Sequence, residues 1–141
     1  INVLMPRFVV NRLTEALDLR FSKSLNGAKI LLLGMAYKKN VADIRESPSF
    51  GIMTLLRKRQ ADISFHDPFV DEVPPTREHA EFTGMLSQPL TSETVAAADA
   101  VVVVTDHTGV DYDMVAQHAK LVIDTRNVYG SRADRHNIVK A

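Results

Sequence analysis

The sequence predicts an α/β fold built on a parallel sheet, and three observations predict it. Short aliphatic runs, KILLL at Lys29 to Leu33, AVVVVT at Ala100 to Thr105 and LVID at Leu121 to Asp124, alternate with stretches of helical periodicity. The runs are continuous rather than polar at every second position, which is how strands read when helices cover both faces of a sheet. Between Lys29 and His66, a strand, a helix and a second strand fit the length that a crossover between parallel strands needs.

Taken in order, Pro6 to Phe21 carries Val10, Leu13, Leu17 and Phe21 at three- and four-residue steps, one face of a helix that needs a partner. Pro6 suits a first helical turn, where its missing N–H is no loss. Asn26-Gly27 marks a turn before the first strand. After a basic loop, Ser47 can cap a helix that opens on Pro48, with Ile52, Leu55, Leu56 and Arg59 at helical spacing. DISFH at Asp62 to His66 is the second strand. Phe69 to Pro89 is rich in proline, charge and small residues and reads as loop, with a short edge strand near Glu81 to Thr83. Thr91 to Ala98 reads as a helix with Glu93 in its first turn. Asp111 to His118 is a further helix between the last two strands, and after Asn127 the pattern fades into a polar tail.

Composition narrows the function. The chain's 141 residues suffice for one domain with a core and not for two ordinary ones. A formal charge of +0 argues against a nucleic-acid or membrane-surface binder, so any cationic site is local. The absence of cysteine removes disulfides, thiolate metal sites and cysteine nucleophiles, and it fits a reducing, cytoplasmic setting. Residue 1 is isoleucine, and the opening reads as the inside of a longer chain.

Ligands of open α/β sheets bind beyond the carboxyl ends of the strands. Three polar clusters fall there: Gly34 to Arg45, Asp106-His107, and Asp124 to Asn127. The first, GMAYKKNVADIRESP from Gly34 to Pro48, joins a strand-ending glycine, the cations Lys38, Lys39 and Arg45, and a helix N-terminus. That combination favours an anion such as phosphate. Lys38 suits a diphosphate oxygen as a compact charge, Arg126 can fork two bonds onto phosphate or ribose oxygens, and Tyr37 can stack on a ring. By charge content alone the reading as solvated loop residues is the favoured one; the clustering of all three cations at one strand end and a helix N-terminus shifts it toward a ligand. Asp43 and Glu46 read as local ion-pair partners. His66-Asp67 and Asp106-His107 are adjacent pairs whose side chains diverge, so they read as ordinary loop residues rather than as a metal site. His79, His118 and His136 read as surface residues. Neither GxGxxG nor GxxxxGK[ST] is present, and with no Ser-His-Asp or Cys-His arrangement suggested and no cysteine, the chain alone should bind rather than turn over.

The same residues carry a resemblance. GMAYKKNVADIRESP resembles the signature of the C-terminal UDP-binding domain of the nucleotide-sugar 6-dehydrogenases, the UDP-glucose/GDP-mannose dehydrogenase family, and the wording is most similar to the UDP-N-acetylglucosamine 6-dehydrogenases. The likeness continues through DISFHDPFV, AVVVVTDH and LVIDTRNVYG, and INVLMPRFVV is similar to the end of the family's long central helix. The resemblance implies a Rossmann-like three-layer αβα sandwich with a mainly parallel sheet, preceded by the end of that helix over residues 1–24, with the UDP-sugar-binding domain over 25–141. It implies that Tyr37, Lys38 and Arg126 contact the UDP-sugar substrate and that Arg45 reaches NAD. It further implies that the NAD domain, the nucleophilic cysteine and the catalytic lysine lie on parts absent from this sequence, and that the whole enzyme is a homodimer. The competing expectation is a freestanding interaction module that docks a partner on the Pro6 to Phe21 helix.

Overall fold

Five strands lie side by side in the order β2-β1-β3-β4-β5, every neighbouring pair parallel, in a computed structural model that describes residues 4–45, 47–130 and 136–141. They are β1 (Lys29–Leu33), β2 (Asp62–His66), β3 (Ala100–Val103), β4 (Val122–Asp124) and β5 (Ile138–Lys140). Four helices cover them: α1 (Leu4–Phe21), α2 (Pro48–Lys58), α3 (Ser92–Ala97) and α4 (Tyr112–His118). The aliphatic runs are continuous because β1, β3 and β4 each feed two cores. Ile30 and Leu32 of β1, with Ala100 and Val102 of β3, pack against α1 and α2. Leu31 and Leu33, with Val101 and Val103, pack against α3 and α4. The fold is the expected Rossmann-like α/β sandwich.

Local chemistry sets the helix ends. Ser47 has extended backbone and its hydroxyl accepts the Ser49 N–H, with Pro48 as the first helical residue of α2. Thr91 and Thr94 satisfy each other's backbone N–H in a reciprocal cap on α3. Val10, Leu13 and Leu17 of α1 are buried as the periodicity predicts, whereas Phe21 is 45% exposed at the fraying end. Arg12 reaches across from α1 to donate to the Lys140 carbonyl at 3.0 Å, and Arg20 donates to the carbonyl of His136. Among the described residues no helix is long and apolar enough to cross a membrane.

Two expectations are corrected. No edge strand forms near Glu81 to Thr83: Ala80–Phe82 is a single 3-10 turn, because Phe82 turns inward and is fully buried, 6.2 Å from the Phe50 ring. The polar tail, in turn, is not structureless. Its last residues form β5, which extends the sheet beyond β4, and Asn137 Nδ2 donates to the Ala116 and Ala119 carbonyls at 2.9 Å each.

The register decides where a ligand can sit. Leu33 pairs with His66 and with Val103, and Val103 pairs with Asp124, so four strands end in one row. The chain leaves β1 for β2 over the α2 face and leaves β3 for β4 over the α4 face. The connections therefore part between the carboxyl ends of β1 and β3, the kind of switch point where α/β sheets open a crevice.

Candidate functional site

Gly34 stands at that switch point with φ +108°, and its N–H donates to the His66 carbonyl at 2.8 Å. A Cβ there would lie 2.5 Å from Thr105 Cβ and 2.7 Å from Thr105 N. Glycine is thus required by the left-handed backbone and by the β3–α4 connection crossing directly over it. Thr105 Oγ1 donates to the Ala36 carbonyl at 2.7 Å, and Ser49 Oγ of α2 donates to the Gly34 carbonyl at 2.7 Å. The basic loop is therefore stitched at its root to both walls of the crevice.

Deeper in the crevice, Asp67 and His107 meet, although 40 residues separate them. Asp67 Oδ2 accepts from Met35 N at 2.7 Å, from Ala36 N at 3.0 Å and from His107 Nε2 at 2.9 Å, while Oδ1 accepts from Phe69 N at 2.7 Å. His107 Nδ1 accepts the Asn40 N–H at 2.7 Å, which fixes the ring as the tautomer protonated on Nε2. Both residues are buried, at 2% and 1% exposure, so the carboxylate is held by hydrogen bonds rather than by water. The expectation that these two are ordinary loop residues is thereby corrected. The ends of β2 and β3, on either side of β1, bring these two side chains together; the adjacent pairs His66-Asp67 and Asp106-His107 do not act as pairs. The signal available in the sequence was that each lies just beyond the carboxyl end of a strand flanking β1, Asp67 directly after β2 and His107 four residues after β3.

The predicted contact residues fall into two groups. Tyr37 is 46% exposed, its N–H donates to the Asp43 carbonyl at 2.6 Å, and Lys38 Nζ lies 5.8 Å from its ring centroid. Arg45 forks onto Asp43, Nε to Oδ1 at 3.0 Å and Nη2 to Oδ2 at 2.8 Å. That guanidinium, with the Arg45 N–H and nearby Lys38, holds the Asp43 carboxyl down at about 2. Glu46 lies outside the described residues. Tyr37 and Arg45 line an open groove of about 1060 Å³ between the start of α1, the first turn of α2 and residues 76–79. On its wall the rings of Phe50 and His79 stack 4.4 Å apart, so His79 is not the free surface residue expected.

Arg126 lies beyond the carboxyl end of β4, two residues after its last residue. Asp124 at the end of β4 accepts the N–H groups of Arg126, Val128 and Tyr129 at 3.1 to 3.2 Å and so shapes the turn that presents it. Its Nε lies 3.6 Å from Asp106 Oδ1, an electrostatic neighbour beyond hydrogen-bond length. Asp106 Oδ1 is buried and, among the described residues, has no hydrogen-bond partner. Tyr112 buttresses this wall, donating its hydroxyl to the His107 carbonyl at 3.1 Å; burial, reinforced by Asp106, Asp124 and Asp67, pushes its pKa up and keeps that proton in place. Chemically, the row of strand ends offers an ammonium, a guanidinium and a phenol ring over a rigid base. No cluster of three or more His, Cys, Asp or Glu able to hold a metal occurs among the described residues.

Residues 31–131 match the model of the UDP-glucose/GDP-mannose dehydrogenase family, UDP binding domain. The chain belongs to that family. A UDP-N-acetyl-D-mannosamine dehydrogenase of Pyrococcus horikoshii is 30% identical over 133 residues, covering 91% of this chain and 28% of the relative. A UDP-glucose 6-dehydrogenase of Rhizobium meliloti is 30% identical over 110 residues, 74% of this chain and 24% of that enzyme. Among solved structures, the NDP-N-acetyl-D-galactosaminuronic acid dehydrogenase of Methanosarcina mazei Go1 superposes with a TM-score of 0.77 at 28% identity, over 99% of this chain and 29% of that one. The chain thus spans less than a third of the length of these members of the UDP-glucose/GDP-mannose dehydrogenase family, and carries their C-terminal UDP-binding domain.

Proposed function

We propose that this chain is the substrate-side domain of an NAD-dependent nucleotide-sugar 6-dehydrogenase. The enzyme takes UDP-N-acetylglucosamine or UDP-glucose to the uronic acid in two successive hydride transfers. In this reading UDP lies over the strand ends, with Lys38 on the diphosphate, Tyr37 beside a ring and Arg126 on phosphate or ribose oxygens. The observation that supports the reading is that the Tyr37-Lys38 loop and Arg126 follow the carboxyl ends of β1 and β4, which end in a single row with β3 between them. The sugar itself belongs to the proposal; the relatives named for UDP-N-acetyl-D-mannosamine support an N-acetylhexosamine.

The chain binds and orients, and the bond-breaking groups stand on other parts of the enzyme. NAD, when bound, supplies the hydride acceptor. Arg45 fits a role toward it: its side chain is 86% exposed, it lines the groove mouth, and Asp43 braces the guanidinium from one side. The crevice lacks a glycine-rich turn to seat a second dinucleotide, which agrees with a cofactor held mainly by an N-terminal domain. Dimerisation through the α1 helix and a cytoplasmic setting belong to the same proposal; Phe8 and Leu19 on α1, 53% and 75% exposed, are the surface it would use.

Calorimetric titration with UDP tests the reading. Lys38→Ala and Arg126→Ala should each weaken binding by about 1 to 3 kcal/mol, as expected for charge-assisted bonds. Unchanged affinity in both variants would sink it.

A further inference from the structure

We propose that Asp67 and His107 are positioning residues for nucleotide binding, a buried carboxylate–imidazole pair that holds the backbone on both sides of Tyr37 and Lys38. The inference rests on the reading above that these two side chains face the nucleotide. Asp67 grips the backbone before them through Met35 N and Ala36 N, and His107 grips it after them through Asn40 N. Asn40 sits at φ +61°, a left-handed turn that the His107 contact and the bond from Thr108 N to Asn40 Oδ1, 2.9 Å, hold in place. Only Tyr37, Lys38 and Lys39 lie between the two grips.

The pair is unsuited to acid–base work. Both ring nitrogens are occupied, the ring is 1% exposed, and Phe69 packs on it with centroids 5.0 Å apart. What it offers is preorganisation: a flexible lysine is useful for a diphosphate only if its Cα is already fixed, since otherwise ordering the loop costs affinity. Hydrogen bonds to a buried carboxylate supply that fixity without reaching the ligand.

The test compares UDP titrations of the chain with His107→Phe, His107→Gln and Val95→Ala. Phenylalanine keeps the ring packing against Phe69 but offers Asn40 no acceptor and Asp67 no donor. His107→Phe should bind UDP about tenfold or more weakly, the scale of losses from small misplacements. His107→Gln, whose amide can both accept and donate, should recover most of the loss. Val95→Ala, buried on the α3 side of the sheet, should lower Tm at unchanged affinity. In the unsubstituted chain, the Met35, Ala36 and Asn40 amides should resist hydrogen exchange before UDP is added. Wild-type affinity in a folded His107→Phe would overturn the inference, as would amides that become protected only with UDP. Lys38→Ala in the same series separates the two readings. If it weakens binding and His107→Phe does not, only the positioning role fails; if it does not, the nucleotide site itself is misassigned.

Discussion

Asp43 and Arg45 show what the candidate loop does with its charges. The fork between them depresses the Asp43 pKa from 3.8 to about 2. The folded value lies below the ordinary one, so the pair's contribution is complete above about pH 4 and is lost as pH falls through the folded value. Carboxyl NMR should place the Asp43 midpoint at about 2, and Arg45→Gln should return it toward 3.8; an unmoved midpoint in the variant would assign the depression elsewhere. The pair is exposed and screened, so global stability should hardly change. Gly34 makes the opposite case. Gly34→Ala forces a side chain into a left-handed backbone and against Thr105, and should cost about 2 to 5 kcal/mol in denaturant unfolding. A smaller loss would mean that the β3–α4 connection yields. At this scale the cations stand out in the sequence by charge and position, and their contact with a nucleotide remains part of the proposal. Asp67 and His107 do not stand out, because their meaning depends on three parallel strands ending together.

Elements were legible wherever a period or a cap was present. β1, α2 with its Ser47 cap, and β2 fall where the spacing places them, because aliphatic runs and a Ser-Pro boundary are local signals. Ser47→Ala should cost about 1 kcal/mol, read as a shift of the denaturation midpoint, through loss of the bond to Ser49 N. β5 escaped because three residues carry no period; its register comes from β4, and Asn137 ties its start to the end of α4. Asn137→Ala should accordingly destabilise the edge by about 1 to 3 kcal/mol, with faster amide exchange in β5 than in β1. Equal exchange in both strands would show that the edge does not depend on this side chain. The strand expected near Glu81 to Thr83 failed for the converse reason. A tertiary contact, Phe82 on Phe50, overrode a short local preference.

At the scale of the whole molecule, the proposed function rests on the parting of connections between β1 and β3. It opens a crevice with the Lys38 loop on one side and Arg126 on the other, over a floor tied by Asp67 and His107. The α/β class followed from the alternation of runs and helices, but the distance between the two walls could not, since it depends on how the loops fold back. A neighbouring groove, walled by Phe50 and His79, competes as a place for a flat ring. The measurement that separates the two is a crystal structure of the chain with UDP. The diphosphate should lie between Lys38 Nζ and the Arg126 guanidinium, with the backbone from Met35 to Asn40 unmoved. UDP bound in the Phe50–His79 groove, away from both cations, would contradict it.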